Sequence, residues 1–352
     1  RRGRGICGGG VVRIVQVVVT DAFAGTERYV AQTSVAMARR GHDVVVLGGA
    51  PAGMLVALQG YAEWRPAARP GAALAGLIRI GRADIVNAHL THAETAAVLT
   101  APRHRGTVVA TRHLLTGRGH GAVGPALRRI VEPRIDAEVR VARGIPATPG
   151  VPLSVVIVGG VEPRSSAYQG SARTVLMMQR LEPEKATEVG LQAWRASGLA
   201  AEGWSLVVAG DGSERTRLEV MVAGEESVTF LGHVADVGAL WPTVGVVLAP
   251  AGGESLGLTV LEAMAAGIPV VAARAAGHLE TLGSVPGAAL FAAGDVEEAA
   301  RRLRELAGNE GLRGRLGEAA RQVQRRDFSL DRQVEGLLEL YEHAHTGVRD
   351  TG

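Results

Sequence analysis

Residues 244–273 read VGVVLAPAGGESLGLTVLEAMAAGIPVVAA. An apolar run at 244–248 stops at Pro250, and a loop with Gly252 and Gly253 follows. A helical stretch opens near Leu256 and Gly257, and after Gly267 and Pro269 a second apolar run begins at Val270. Strand, loop, helix and strand in that order form a βαβ unit, whose strands are parallel and whose ligands sit at the strands' carboxyl ends. The first N–H groups of a helix are unpaired and lie at the positive end of its dipole, so the turn at Leu256, Gly257 and Leu258 suits a phosphate. Gly257 lets a ligand approach the backbone closely. Two carboxylates flank this turn: Glu254 in the loop, and Glu262 five residues past Gly257, about 7.5 Å further along the axis. Neither favours a bare phosphate. Both fit a ligand with hydroxyls on each side of its phosphates, as a nucleotide-sugar has; the plain alternative is a loop glutamate and a helix-start glutamate favoured by the dipole.

The same alternation extends outward. Strands are expected at 174–178, 205–209 and 228–230, with helices between them, and residues 296–343 read as consecutive amphipathic helices. In the first half, a strand at 11–19 leads through a loop at Gly25 to a helix at 26–40 and a strand at 43–47. Further strands are expected at 85–88 and 107–111, around a helical stretch at 93–99; from 117 to 150 Gly, Pro and Arg interrupt the pattern. The expected fold class is therefore α/β, with two Rossmann-like parallel-sheet domains facing a cleft, which a chain of 352 residues can fill. The predicted boundary follows Pro146, Pro149 and Pro152, giving domains at 1–153 and 154–328.

Composition narrows the function classes. Hydrophobic residues at 47% and charged residues at 21% describe a folded globular chain. No apolar run reaches the ~18 residues of a membrane span, and residues 1–10 hold no signal-like apolar core, so a cytoplasmic protein is expected. A lone Cys7 excludes a disulfide framework and a Cys-rich zinc site. Residues 1–150 hold 20 Arg against 9 acidic residues, whereas 151–352 hold 18 basic against 26 acidic. All the basic residues but one are arginine, and a single lysine, Lys185, points to a position that requires an ammonium.

Lys185 lies in RLEPEK, residues 180–185, just after an expected strand. Arg180 and Lys185 could converge on a diphosphate, one as a planar fork and the other as a point charge; otherwise the segment is a charged helix start. Gly210-Asp211-Gly212 is a common post-strand turn. His113 and His89 each end a strand at the carboxyl edge, with a hydrogen-bonded structural role as the ordinary reading, above all for His89. The turn Ala24-Gly25-Thr26-Glu27-Arg28 could admit a phosphate or sugar, but it is no GxGxxG dinucleotide fingerprint.

In order, GTERYVAQTSVAMARRGHDVVVL, ADIVNAH, QRLEPEK, LVVAGDGSE, VTFLGHVADV, ESLGLTVLEAMAAGIPVVA and AAGHLE resemble glycosyltransferase family four, the retaining, nucleotide-sugar-dependent enzymes of GT-B architecture. The resemblance implies that Glu254 contacts the donor sugar hydroxyls and Glu262 the ribose. Arg180 and Lys185 would hold the diphosphate with backbone N–H groups around Leu256, Gly257 and Leu258, and the Gly210 turn would belong to the donor site. His113 would lie beside the anomeric carbon, and Gly25 would close over the phosphates. A last helix at 329–345 would pack back on the first domain. No cofactor or metal is expected beyond the nucleotide-diphosphate sugar as co-substrate, and no Asp-x-Asp pair is present. Transfer would go to a glycan, lipid-linked or small-molecule acceptor.

Departures from the family pattern are Ala24, Gln179 and Ala186 where glycines are usual, Val158-Gly159-Gly160-Val161 in place of Pro-Asn-Gly-Val, and a segment at 136–144 that looks shortened. They keep open a non-catalytic homologue that binds nucleotide-sugar or glycan. The arginines at 103, 105, 112, 118, 128, 129 and 134 could attract an anionic acceptor or hold the protein peripherally on an anionic membrane surface. Nucleic acid is not an expected partner, because aromatics are 3% of the residues and no helix-turn-helix is evident.

Overall fold

The computed structural model describes residues 10–115, 124–165, 167–234 and 237–350. It divides into two compact units, Arg1–Gly159 with Leu330–Gly352, and Gly160–Ser329.

The first unit runs β1 (Arg13–Val18), α1 (Gly25–Arg39), β2 (Asp43–Leu47), α2 (Pro51–Leu58), β3 (Glu63–Arg65), α3 (Pro70–Ile80), β4 (Ile85–His89), α4 (Thr91–His104), β5 (Thr107–Arg112), α5 (Gly124–Val131), β6 (Ala137–Arg140) and β7 (Ser154–Val156). Its strands form one parallel sheet in the order β3-β2-β1-β4-β5-β6-β7. The second unit runs β8 (Thr174–Met178), α6 (Thr187–Ser197), β9 (Ser205–Ala209), α7 (Arg215–Met221), β10 (Val228–Gly232), β11 (Val244–Ala249), α8 (Leu258–Ala265), β12 (Val270–Ala273), α9 (Ala276–Leu282), β13 (Ala289–Phe291), α10 (Val296–Ala307) and α11 (Glu310–Asp327). Its order is β10-β9-β8-β11-β12-β13, again parallel.

Crossover helices cover both faces of a parallel sheet, which is why β8 and β11 read as nearly unbroken apolar runs. In each sheet the strand order reverses once, between β1 and β4 and between β8 and β11. Chain leaving neighbouring strands there diverges to opposite sides and leaves a crevice at the carboxyl edge. The loops at these two points hold residues 19–24 and Leu90 in the first unit, and 179–186 and 250–257 in the second.

A final helix, α12 (Leu330–Asp350), belongs to the first unit. Leu330, Val334, Leu337, Leu340, Tyr341 and Ala344 pack against Ile14, Met37, Ile85, Val109 and Val139. The first unit extends past the expected boundary at 153. β7 pairs with β6, with Glu138 opposite Ser154, so residues 154–159 complete the first sheet instead of opening the second unit. The segment at 136–144 that looks shortened does contain a strand, β6.

Candidate active site

In the second unit the helix expected to bind phosphate is α8. Gly257 caps it with φ +84, a left-handed conformation that favours glycine, and a Cβ there would meet the His278 ring, 3.1 Å from Cδ2. Leu256 is buried just before the cap, and Leu258 is the first helical residue. The Thr259 hydroxyl donates to the Met178 carbonyl at 2.9 Å, which ties the start of α8 to the end of β8. Glu262 is buried in the second turn of α8.

The loop after β8 brings Lys185 to this turn. Lys185 Nζ lies 2.7 Å from Glu254 Oε2, with both side chains about one-fifth exposed. Glu254 Oε1 accepts the Ser255 N–H at 3.2 Å. Burial works to raise the Glu254 pKa, but the Lys185 ammonium and the N–H of Leu256 outweigh it and hold the carboxyl below its usual range. Arg180 points elsewhere: its guanidinium pairs with Glu184 at 2.8 Å on the exposed surface. Glu254 and Lys185 are thus brought together, while the two cations 180 and 185 have separate partners.

Two departures from the family pattern have visible consequences. Gln179 Nε2 donates to the Lys185 carbonyl at 3.0 Å and to Thr187 Oγ1 at 2.9 Å, stapling the loop shut. Ala186, which caps α6, adopts a left-handed φ of 50°. Gly210 passes beneath the same loop with φ +140, and a Cβ on it would lie 1.9 Å from the Gln179 carbonyl oxygen.

His278 was not singled out by the sequence, although it stands inside AAGHLE. It is buried at the start of α9, and its Nδ1 donates to the Ala273 carbonyl at 2.8 Å. Burial holds its pKa below the ordinary value.

The first unit places His113 in a net of neutral polar groups. His113 Nε2 lies 2.9 Å from His89 Nδ1, and His89 Nε2 lies 2.9 Å from Gln16 Oε1. Asn87 Nδ2 donates to Gln16 Oε1 at 3.0 Å and to the Tyr341 hydroxyl of α12 at 2.9 Å, while the Thr111 hydroxyl donates to Asn87 Oδ1 at 2.8 Å. The Tyr29 ring stands edge-on to His113, 4.9 Å between centroids. Burial pushes His113 down to about 3, and burial with the nearby His113 lowers His89 well below its ordinary value. Gln16, Asn87 and Thr111 also escaped the sequence reading. For Gln16 and Asn87 the signal is an amide in the middle of an apolar strand, as in RIVQVV and IVNAH. Gly25 begins α1, and the Ala24 N–H before it donates to the buried Glu27 carboxylate at 2.8 Å.

The basic region is not one surface. Arg112 is buried between Glu94 and Glu138, bonding the first and lying 3.1 Å from the second. Arg103, Arg105, Arg129 and Arg134 are exposed, but they precede β5 and β6 and so lie at the amino edge of the sheet, away from His113. Arg118 and the Arg128 side chain lie outside the described residues. Among the described residues no helix is long and apolar enough to cross a membrane.

Residues 23–146 match the family model described as Glycosyltransferase Family 4, and residues 153–323 match that described as Glycosyl transferases group 1. An exopolysaccharide phosphotransferase of Streptomyces coelicolor is 32% identical over 187 residues, which cover 52% of this chain but only 19% of that protein. The phosphatidyl-myo-inositol mannosyltransferase of Mycobacterium leprae is 29% identical over 361 residues, 93% of this chain and 95% of that one. The solved structure of Anabaena HepE in complex with UDP and glucose has a TM-score of 0.78 at 16% identity, covering 94% of this chain and 99% of its own, a likeness of fold. With one model on the sheet that holds His113 and the other on the sheet that holds Lys185 and Glu254, together spanning most of the sequence, this chain belongs to the group 1, family 4 glycosyltransferases.

Proposed function

We propose that the chain is a retaining glycosyltransferase that takes its sugar from a nucleotide-diphosphate sugar, without a metal, and passes it to a glycan, lipid-linked or small-molecule acceptor. The observation that carries this reading is the Lys185–Glu254 pair, 2.7 Å apart, at the amino end of α8 and at the point where the second sheet reverses its strand order. The solved relative whose fold this chain resembles holds UDP and glucose.

Breaking the anomeric C–O bond leaves positive charge on the sugar and negative charge on the departing diphosphate. Lys185 and the N–H groups at the start of α8 stabilise that leaving group, with Arg180 joining them once it leaves Glu184. This positive charge serves where a divalent metal otherwise would. Glu254 anchors sugar hydroxyls, and Glu262 reaches the ribose. Attack comes from the face the diphosphate leaves, and a phosphate oxygen takes the acceptor proton, so no protein nucleophile is required. His113 lies beside the transferred sugar. The family departures at 179 and 186 leave the Lys185–Glu254 pair formed, which favours an active enzyme over a binding-only homologue.

Purified protein incubated with UDP-, GDP-, ADP- and dTDP-sugars is expected to hydrolyse or transfer one of them, and Lys185→Ala is expected to lose most of that turnover. Stabilisation by a donor with no turnover would instead mark a binding protein. For an anionic membrane surface the contact candidates are the exposed Arg103, Arg105, Arg129 and Arg134; failure of anionic liposomes to retain the protein at moderate salt removes that partner.

A further inference from the structure

One neighbour determines the chemistry of the His113 ring. The Gln16 Oε1 oxygen takes an N–H of the Asn87 amide at 3.0 Å and lies 2.9 Å from His89 Nε2. An amide oxygen can only accept, and the Asn87 amide, although its Nδ2 lies 3.4 Å from His89 Nε2, directs its two N–H groups to Gln16 and Tyr341 at shorter range, so His89 donates from Nε2. Asn87 is fixed from two further sides, by the Thr111 hydroxyl on Oδ1 and the Tyr341 hydroxyl on Nδ2. A neutral imidazole with its proton on Nε2 carries a lone pair on Nδ1, and His89 Nδ1 faces His113 Nε2 at 2.9 Å. His113 therefore donates from Nε2, and its own Nδ1 is left as an acceptor.

We propose that His89 is a positioning residue that fixes the tautomer and orientation of His113, so that His113 meets the transferred sugar as a neutral Nδ1 acceptor and not as a proton donor. Its catalytic part rests on the donor reading above; its tautomeric part stands on the hydrogen bonds alone. His89 is fully buried at the end of β4, so water does not compete for the bond. Burial holds both rings neutral at neutral pH. An acidic role for His113 would need a proton on Nδ1, and with Nε2 already protonated that puts an imidazolium beside a second buried imidazole.

The test compares the full-length protein with His89→Asn, which retains an acceptor oxygen near the place of Nδ1, and His89→Leu, which has none. Imidazole nitrogen NMR of the wild type at pH 7 is expected to show His113 protonated on Nε2 and bare on Nδ1. The same state is expected in His89→Asn and its loss in His89→Leu. For donor turnover, His89→Leu is expected to lower kcat about tenfold to a hundredfold with the donor KM within about twofold, and His89→Asn to recover most of the loss. A His113 proton on Nδ1 in the wild type overturns the proposal, as does an unchanged tautomer in His89→Leu or an equal loss of kcat in both variants. If His89→Leu does not fold, the wild-type and His89→Asn spectra still decide. Absence of turnover by the wild type would count against the donor reading, while the spectra would continue to report the tautomer.

Discussion

The two parallel sheets reverse their strand order in the same way and end in opposite chemistry. In the second unit the reversal point carries charge: Lys185 against Glu254 at the start of a helix, one-fifth exposed. In the first, apart from the Glu27 carboxylate that takes the Ala24 N–H at the start of α1, the strand ends carry an uncharged net: Gln16, Asn87, His89, Thr111 and His113, almost all buried. A diphosphate leaving group needs the former, because developing negative charge is stabilised by cations and unpaired N–H groups. On the proposed donor reading, the latter would serve a sugar ring whose hydroxyls must be oriented without a charge on them. The same backbone architecture therefore supports two electrostatic regimes, and the side chains at the switch points decide between them.

The largest effect that sharpens this contrast is expected at Lys185. Lys185→Ala should lower donor turnover by about a hundredfold to a thousandfold. Lys185→Arg should not restore it fully, because a guanidinium does not reproduce a compact point charge beside Glu254. Turnover within a few-fold of wild type would show that the charged reversal point does not serve the leaving group.

The first unit does contain buried charge next to this net: Arg112, the residue between Thr111 and His113, with Glu94 and Glu138. Burial raises Glu94 to about 7 despite its bond to Arg112. For Glu138 burial again works upward, but hydrogen bonds from Thr148, Ser154 and Arg112 outweigh it and hold it below the usual range. The native protein thus keeps a proton on Glu94 between pH 4.5 and about 7 that the unfolded chain gives up, so this carboxyl makes stability fall as pH rises across that window. Glu94→Gln removes the slope. Its stability relative to wild type should improve by up to about 3 kcal/mol between pH 4.5 and pH 8 in urea unfolding. A difference that stays flat with pH would mean that Arg112 keeps Glu94 ionised throughout.

Asn87→Ala strips partners from Gln16, Thr111 and Tyr341 together, and should cost about 2 kcal/mol, read as a lower unfolding midpoint. Because this net is neutral, the loss should be the same at low and high salt. A salt-dependent loss would mean that the first reversal point is charged after all.

The smallest change is expected at Ala186, which holds a left-handed φ of 50° without being glycine. Relief of that strain exceeds the added chain entropy of glycine, so Ala186→Gly should raise stability by about 0.5 to 1 kcal/mol in thermal unfolding. No gain would mean that the Gln179 staple, not the backbone, sets the loop.

The charged region was the more legible of the two. Glu254, Gly257 and Glu262 share one loop and helix, so their spacing is local, and Lys185 stands out as the lone lysine. What spacing did not reveal was that Arg180 turns to Glu184, a choice made by side-chain reach on an exposed turn. The neutral net was nearly invisible because it depends on strand register. Gln16 meets Asn87 across β1 and β4, and His89 meets Thr111 across β4 and β5; a slip of one residue would send each side chain to the other face. Strands β3, β7 and β13, of three residues each, also went unread because they are too short for any period to emerge. The helix α4 runs to His104 although Pro102 suggests an earlier stop, so it continues past a residue that has no N–H to give the Val98 carbonyl.

The return of α12 to the first unit has a consequence for biosynthesis. On a ribosome, β1 through β7 emerge well before the helix that seals the face holding Ile14, Ile85 and Val109, and the whole second unit is made in between. The second unit is contiguous and can fold as soon as it is exposed; the first must wait with an open apolar face and an Asn87 amide lacking its tyrosine. The half of the protein made first is therefore finished last, and a nascent chain stalled before Leu330 would be a substrate for chaperones.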